Sequence, residues 1–442
     1  MPKGIFVKLL VRFIIFSLIS TNVFAASIIR DAEIENIIRT ISNPIFKAAG
    51  LSPESINIYI VNDNDINAYV AGGSNIFINT GLLGLSESPD ILIGVIAHET
   101  GHIAGGHLLR NTEEFKNTSI TTALGYMVGL AAAAAGSPQA GVAIASGAGH
   151  VAQRQFLKHT RGHEEAADQA ALSYLDKINL SAEGLLELLE KLYSRETTLY
   201  GDMNPYTLTH PLSRQRISHV KNYIEKSKYS NNKLPAETIE EYRRSIVKLN
   251  AFLSKADKTL KKYPKTDQSI SAHYARSIAY YTIPDIDKAL DEINHLIEKE
   301  PKNPFFNELK GQILFENGHV MDSIPFYERA VELLPKSPLL KIILATAYIS
   351  SEKDELRQKA VNNLEQAIVQ EKKNTFAWRQ LAIAYGRGGD YGMSNLALAE
   401  EALLTGHKKA AKKFVEKAKE TIKEGTPAYL RISDIMASLE DD

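Results

Sequence analysis

At 442 residues the chain is too long for one hydrophobic core and is expected to fold as two or three domains. Apolar residues at 44% and charged residues at 23% exclude a disordered chain, and a formal charge of -1 excludes nucleic acid as the main partner, because phosphate binding needs a basic excess. The absence of cysteine rules out a disulfide framework and a thiolate metal site, so any metal must rest on His, Asp or Glu.

Residues 1–25 read as a leader. Lys3, Lys8 and Arg12 make a basic start, Phe13 to Ile19 an apolar stretch, and Val23-Phe24-Ala25 a small-x-Ala cleavage site. Export is expected, with a mature chain from Ala26; the apolar run is short for a spanning helix. The stretch INIYIVNDNDINAYVAGGSNIFINTGLL holds two alternating β runs, Ile56 to Val61 and Asn75 to Asn79, separated by polar and Gly-rich turns. SESPDILIGVIAHETGHIAGGHLLR then reads as a buried helix, with Ser88 as N-cap, Pro89 at the first helical position and Asp90 at the positive end.

That helix carries His98, Glu99 and His102. Two histidines four apart project from one helix face and can converge on one cation, while the glutamate between them can reach a water bound to that cation. Zinc suits such nitrogen and oxygen donors and keeps one position open when catalytic. Gly105 fits a third-histidine extension of the motif, but three residues further stands Leu108, so that extension fails. His107 lies five residues after His102 and would turn away from the ligand face if the helix continued, which makes it a packing or rim residue.

A carboxylate must therefore come from further on. Thr121 to His150 has no Asp, Glu, Lys or Arg, and Pro138 splits it into segments too short to span a bilayer. It reads as a close-packed helical hairpin over the site, with peripheral membrane contact through 121–150 as the competing reading. A second amphipathic helix, about Arg154 to Leu175, follows it, and the first acid after a long gap is Glu164. Glu164 can complete a two-His, one-Glu site, and Asp168, four residues on and sharing its face, can orient a ligand histidine; the competing reading is that these acids form a solvated helix face. His163 and Glu165 point from other faces and are weaker candidates. In TLTHPLSRQRI, His210, Arg214 and Arg216 surround a Pro-fixed turn; a histidine or an arginine there could steady an oxyanion, or His210 could fill the open metal position and hold the site inactive.

Polar residues from Lys228 to Glu237 read as a linker. Beyond it Pro301 and Pro335, Ala289 and Ser323, Ile293 and Tyr327, and Pro304 and Pro338 stand 34 residues apart, the period of a tetratricopeptide helix pair. Gly311, Leu314, Gly318, Tyr327, Ala330 and Pro335 fall on its small, large and turn positions. Further units at FAWRQLAIAYGRGGDYGMSNLAL and AEEALLTGHKKAAKKFVEKAKE give about four repeats between 270 and 425, a solenoid with a concave protein-binding face. The expected fold is mainly α with a small β-sheet: a zincin-type metallopeptidase domain over 26–230, then an α-solenoid of tetratricopeptide repeats over 231–442.

Four motifs in order, NAYVAGGSNIFINTGLL, HETGH, EEAAD and THPLSRQRI, resemble the zinc metallopeptidases related to the CAAX prenyl protease and HtpX, and the leader and repeats are similar to their exported BepA/YfgC branch. The resemblance spans nearly the whole chain. It implies one zinc on His98, His102 and Glu164, Glu99 as general base, Asp168 behind the ligands, and His210 and Arg216 facing substrate or oxyanion; Arg214 has no clear counterpart. It implies that the strand matching GGSNIFINTG pairs with an extended substrate. It also implies a periplasmic endopeptidase for misfolded or stalled envelope proteins, its repeats recruiting clients or the outer-membrane assembly machinery. A different class, a chaperone or scaffold with a silent metal site, is weakened by Glu99, because a structural site needs no base.

Overall fold

A computed structural model describes residues 28–107, 161–198 and 210–440. The expected leader, the Gly/Ala-rich stretch 121–150 and the start of the second amphipathic helix fall outside the described residues. Among them no helix is long and apolar enough to cross a membrane.

Among the described residues the sheet has four strands, two more than the alternating runs: β1 (Ile28–Ile29), β2 (Asn57–Val61), β3 (Ala68–Ala71) and β4 (Asn75–Asn79), in the order β1-β2-β4-β3. β4 pairs parallel with β2 and antiparallel with β3. Ala68 to Ala71, read as part of a turn region, is thus an edge strand, paired from Ala68 opposite Ile78 to Ala71 opposite Asn75. Its residues, Ala-Tyr-Val-Ala, are all apolar and show no apolar–polar alternation to announce a half-buried strand. Both sides of β4 are occupied, which corrects the expectation that the strand of GGSNIFINTG is itself open to an added strand; among the described residues the outer strands of the sheet are β1 and β3. Period-two alternation sends Ile60, Ala68, Ile76 and Ile78 into the core, while Tyr59, Phe77 and Tyr69 stack across the other face with centroids 5.1 Å apart.

Helix α1 (Ala32–Ala48) covers the core face. Asp31 caps it by accepting from the Glu33 and Ile34 amides, and Ile34, Ile37, Ile38, Ile41 and Ile45 make its apolar stripe. After a short helix α2 (Thr80–Leu83) comes the histidine helix α3 (Asp90–Gly105), which starts one residue later than expected: Pro89 takes the cap position, and the Ser88 hydroxyl donates to Asp90 at 2.6 Å. Every residue from Ile91 to His102 is buried, so the metal motif lies in the core. Helix α4 runs through 161–177 of the described residues, followed by α5 (Glu183–Thr198) and α6 (Arg214–Ile224).

The expected linker is a turn that leads into α7 (Ala236–Leu253), and α7 belongs to two cores. Tyr242, Ile246 and Leu249 pack with the sheet and α1; Val247 and Ala251 pack with the repeats. After α8 (Ala256–Lys262) come helix hairpins: α9 (Ile270–Thr282) with α10 (Ile286–Lys299), α11 (Pro304–Glu316) with α12 (Val320–Leu333), α13 (Pro338–Ser350) with α14 (Asp354–Gln370), and α15 (Thr375–Arg387) with α16 (Tyr391–Leu404). The hairpins starting at Ile270, Pro304 and Pro338 keep the 34-residue period; α14 has 17 residues, and the next start, Thr375, comes 37 after Pro338. AEEALLTGHKKAAKKFVEKAKE is not one unit. It holds the end of α16 and the whole of α17 (Lys408–Lys419), which packs with α18 (Pro427–Glu440). Gly311 has no side chain because the Tyr327 ring would sit 2.7 Å from a Cβ there, which is the small-against-large packing the period implied.

Candidate metal centre

On α3, His98 and Glu99 are fully buried and His102 is 9% exposed. One helical turn sets the two imidazoles side by side, their Nε2 atoms 3.1 Å apart. α4 can approach because Gly101, inside the motif, has no side chain: a Cβ there would lie 2.8 Å from the Ala167 carbonyl oxygen. That close crossing delivers Glu164, whose Oε2 is 3.3 Å from His98 Nε2 and whose Oε1 is 3.3 Å from His102 Nε2. His210, just before α6, adds its Nδ1 at 3.1 Å from Glu164 Oε2 and 3.4 Å from His98 Nε2. All four ligating atoms lie within 4.8 Å of one another.

The separations from 3.1 to 3.4 Å fit donors to one cation. Zinc bonds of about 2.0–2.1 Å in a tetrahedron place neighbouring donor atoms roughly 3.4 Å apart. The electrostatics favour positive charge at the same place. Burial alone would lower the His98 pKa, yet Asp168 and Glu164 raise it to about 10. Burial likewise opposes ionisation of Glu164, but His210, His102 and His98 hold its carboxyl well below the usual range. His102, desolvated beside these rings, is pushed down to about 3 and stays neutral, as a metal ligand must. Glu99 is outside the ligand set. Burial raises its pKa, neither of its oxygens finds a hydrogen bond among the described residues, and Oε1 lies 3.5 Å from His210 Nε2. A buried carboxylate left in that state beside a donor cluster fits a group that handles the proton of a reacting water.

Behind the ligands, Asp168 Oδ1 sits 2.9 Å from His98 Nδ1. Burial opposes its ionisation too, but Arg216 and His98 bring Asp168 to about 2. Arg216 differs from the expectation of a substrate-facing residue. Its Nε and Nη2 donate to Asp168 at 2.7 and 2.8 Å, its Nη1 donates to Pro211 O and lies 2.9 Å from Glu164 Oε2, and it is 2% exposed. It is spent on holding the two carboxylates, a placement that spacing within THPLSRQRI could not reveal. Ser213 caps α6 by accepting from the Arg216 amide. Arg214 points elsewhere, donating to the Tyr193 hydroxyl at 2.6 Å. Glu165 is exposed, and His163, though buried, stacks on His107 at 4.3 Å.

His107 is a packed residue, as expected, but it is not turned away from the ligand face. The helix stops at Gly105, Gly106 adopts φ 62°, and the chain folds back so that His107 Nδ1 lies 3.0 Å from His102 Nδ1. The Gly105-Gly106 pair was the sequence signal for that reversal.

Residues 29–224 match the family described as Peptidase family M48. The chain is similar to the Beta-barrel assembly-enhancing protease of Yersinia pestis, 26% identical over 333 residues that make up 74% of this chain and 67% of that one. It is also similar to the Beta-barrel assembly-enhancing protease of Escherichia coli (strain K12), 24% identical over 412 residues, 91% of this chain and 82% of that one. Among solved structures, YrrB, a TPR protein with an unusual peptide-binding site, aligns at 15% identity and a TM-score of 0.33 over 40% of this chain and 95% of that one. The solenoid rests on the helix pairs themselves.

Proposed function

We propose, on the premise that residues 29–224 form a Peptidase family M48 domain and the chain is a metallopeptidase, that its metal is zinc and that it is a periplasmic endopeptidase acting on misfolded or stalled envelope proteins. The observation that carries the reading is the convergence of His98, His102 and Glu164, with the unbonded Glu99 carboxylate beside them. The printed name of the relatives supports a place in outer-membrane barrel assembly, with the repeats recruiting a client or the assembly machinery.

Bound to these donors, zinc polarises a peptide carbonyl and acidifies water. Glu99, its proton affinity raised by burial, accepts the proton of the attacking water and returns it to the leaving amine. Asp168 holds the His98 ring by its Nδ1, and Arg216 fixes Asp168 and Glu164 together. The outer edge at β3, the strand hydrogen-bonded to β4, would receive the substrate backbone as an added strand. His210, its Nδ1 3.1 Å from Glu164 Oε2 and 3.4 Å from His98 Nε2, would serve as a fourth ligand and close the site, and substrate would enter on its withdrawal.

Metal content by mass spectrometry, wild type beside Glu164→Gln, tests the ligand set. About one zinc per chain in the wild type, weakened at least tenfold in the variant, is expected, since an amide loses the charge that faces the cation. Full zinc in Glu164→Gln sinks the assignment. His210→Ala tests the closure: it is expected to keep zinc and to raise basal cleavage of a short peptide several-fold, by freeing the competent fraction. Complete loss of cleavage in that variant, with zinc retained, makes His210 a donor to the oxyanion instead.

A further inference from the structure

We infer that His107 is a positioning residue of the metal centre, accepting the Nδ1 proton of His102 and thereby aiming His102 Nε2 at the metal position. The inference rests on the ligand set proposed above. A histidine that binds through Nε2 keeps its proton on Nδ1, and the acceptor for that proton fixes both tautomer and ring plane. His98 has such a partner in Asp168, at 2.9 Å. For His102 the partner is His107, at 3.0 Å between the two Nδ1 atoms.

The surroundings of His107 are built for that contact. Gly106, in the left-handed region at φ 62° and ψ 29°, reverses the chain so that residue 107 returns over the last turn of α3. The returned ring lies over Gly105, where a Cβ would run into its Nε2, Cε1 and Cδ2 atoms. Its other side stacks on His163, centroids 4.3 Å apart and planes 6° from parallel. The planes of the His102 and His107 rings are inclined by 80°, and it is the 3.0 Å separation of their Nδ1 atoms that makes the contact a hydrogen bond. His107 is 4% exposed and His163 8%, so both are held inside the protein.

The stack also joins the two ligand-bearing helices. His163 immediately precedes Glu164 on α4, and His107 immediately follows the cap of α3. A neutral imidazole orients His102 without adding a third negative charge beside Glu164 and Asp168.

The test uses the full chain loaded with zinc and transferred into excess chelator, with zinc release followed in wild type, His107→Phe and His107→Asn. Phenylalanine keeps the ring that stacks on His163 but has no acceptor; asparagine places an amide oxygen near the position of Nδ1. Release about 10–100-fold faster in His107→Phe is expected, the usual cost of losing such a partner, with His107→Asn within roughly threefold of wild type. The unfolding midpoint of the zinc-free proteins is followed alongside, and where phenylalanine lowers it the asparagine variant decides. Zinc release from His107→Phe as slow as from wild type, or from His107→Asn as fast as from His107→Phe, overturns the inference. A wild type that takes up no zinc overturns the ligand reading beneath it.

Discussion

Glu99→Gln is expected to bind metal as the wild type does and to cleave peptide about 10²–10⁴-fold more slowly, the range for losing a positioned general base. The residue is fully buried, yet neither carboxylate oxygen has a hydrogen bond among the described residues, and it does not belong to the four-residue ligand set. Glutamine fills the same space and cannot take a proton. Metal content and single-turnover cleavage, measured on one preparation, separate the two effects. Wild-type turnover in the variant removes Glu99 from the chemistry, and loss of metal makes it a ligand. The same variant decides between protease and chaperone. A protease accumulates bound, uncleaved client when Glu99 is replaced, whereas a chaperone assists folding equally well with either residue.

Lys248→Met is expected to lower unfolding stability by about 3–5 kcal/mol, because it leaves buried carboxylates without their cation. Lys248 is 1% exposed, with Nζ 2.8 Å from Asp31, 3.0 Å from Glu308 and 3.6 Å from Glu33, whose Oε2 also accepts from the Tyr274 hydroxyl at 2.6 Å. These partners come from the cap of α1, from α1 itself and from the repeat helices α9 and α11, so the lysine joins the solenoid to the peptidase domain. Burial already raises the Glu33 carboxyl to about 7. A group raised in the folded state contributes stability at low pH and loses it as pH climbs through that value. Removing Lys248 takes away an interaction that lowers it, so the deficit should be larger at pH 8 than at pH 5. Urea midpoints of metal-stripped wild type and variant at both pH values test this; a gap under about 1 kcal/mol at pH 8 refutes it. Adding Glu308→Gln should recover part of the loss, since a neutral partner no longer demands a cation.

Much of this architecture is written locally. The i, i+4 pairing of His98 and His102 follows from the helical repeat alone, and Glu164 stood out as a candidate because no acid stands between Phe115 and His163. The 34-residue period gave the solenoid because each hairpin repeats the same packing problem, as Gly311 under Tyr327 shows. The failures have a common form. β3 is apolar throughout and displays no alternation, α14 gains residues the period does not foresee, and His107 was read from a helix assumed to continue past Gly106.

What the sequence determined by itself is chemistry and periodicity: which donors exist, which share a helix face, and where helix pairs recur. Only the tertiary structure decided what each side chain is for. Arg216 became a clamp on Asp168 and Glu164, His107 the neighbour of His102, α7 a member of two cores and β3 an outer strand beside β4. Each of these depends on a contact between segments distant in sequence or on a single reversal of the backbone, and spacing along a chain carries no information about either until the helices have packed.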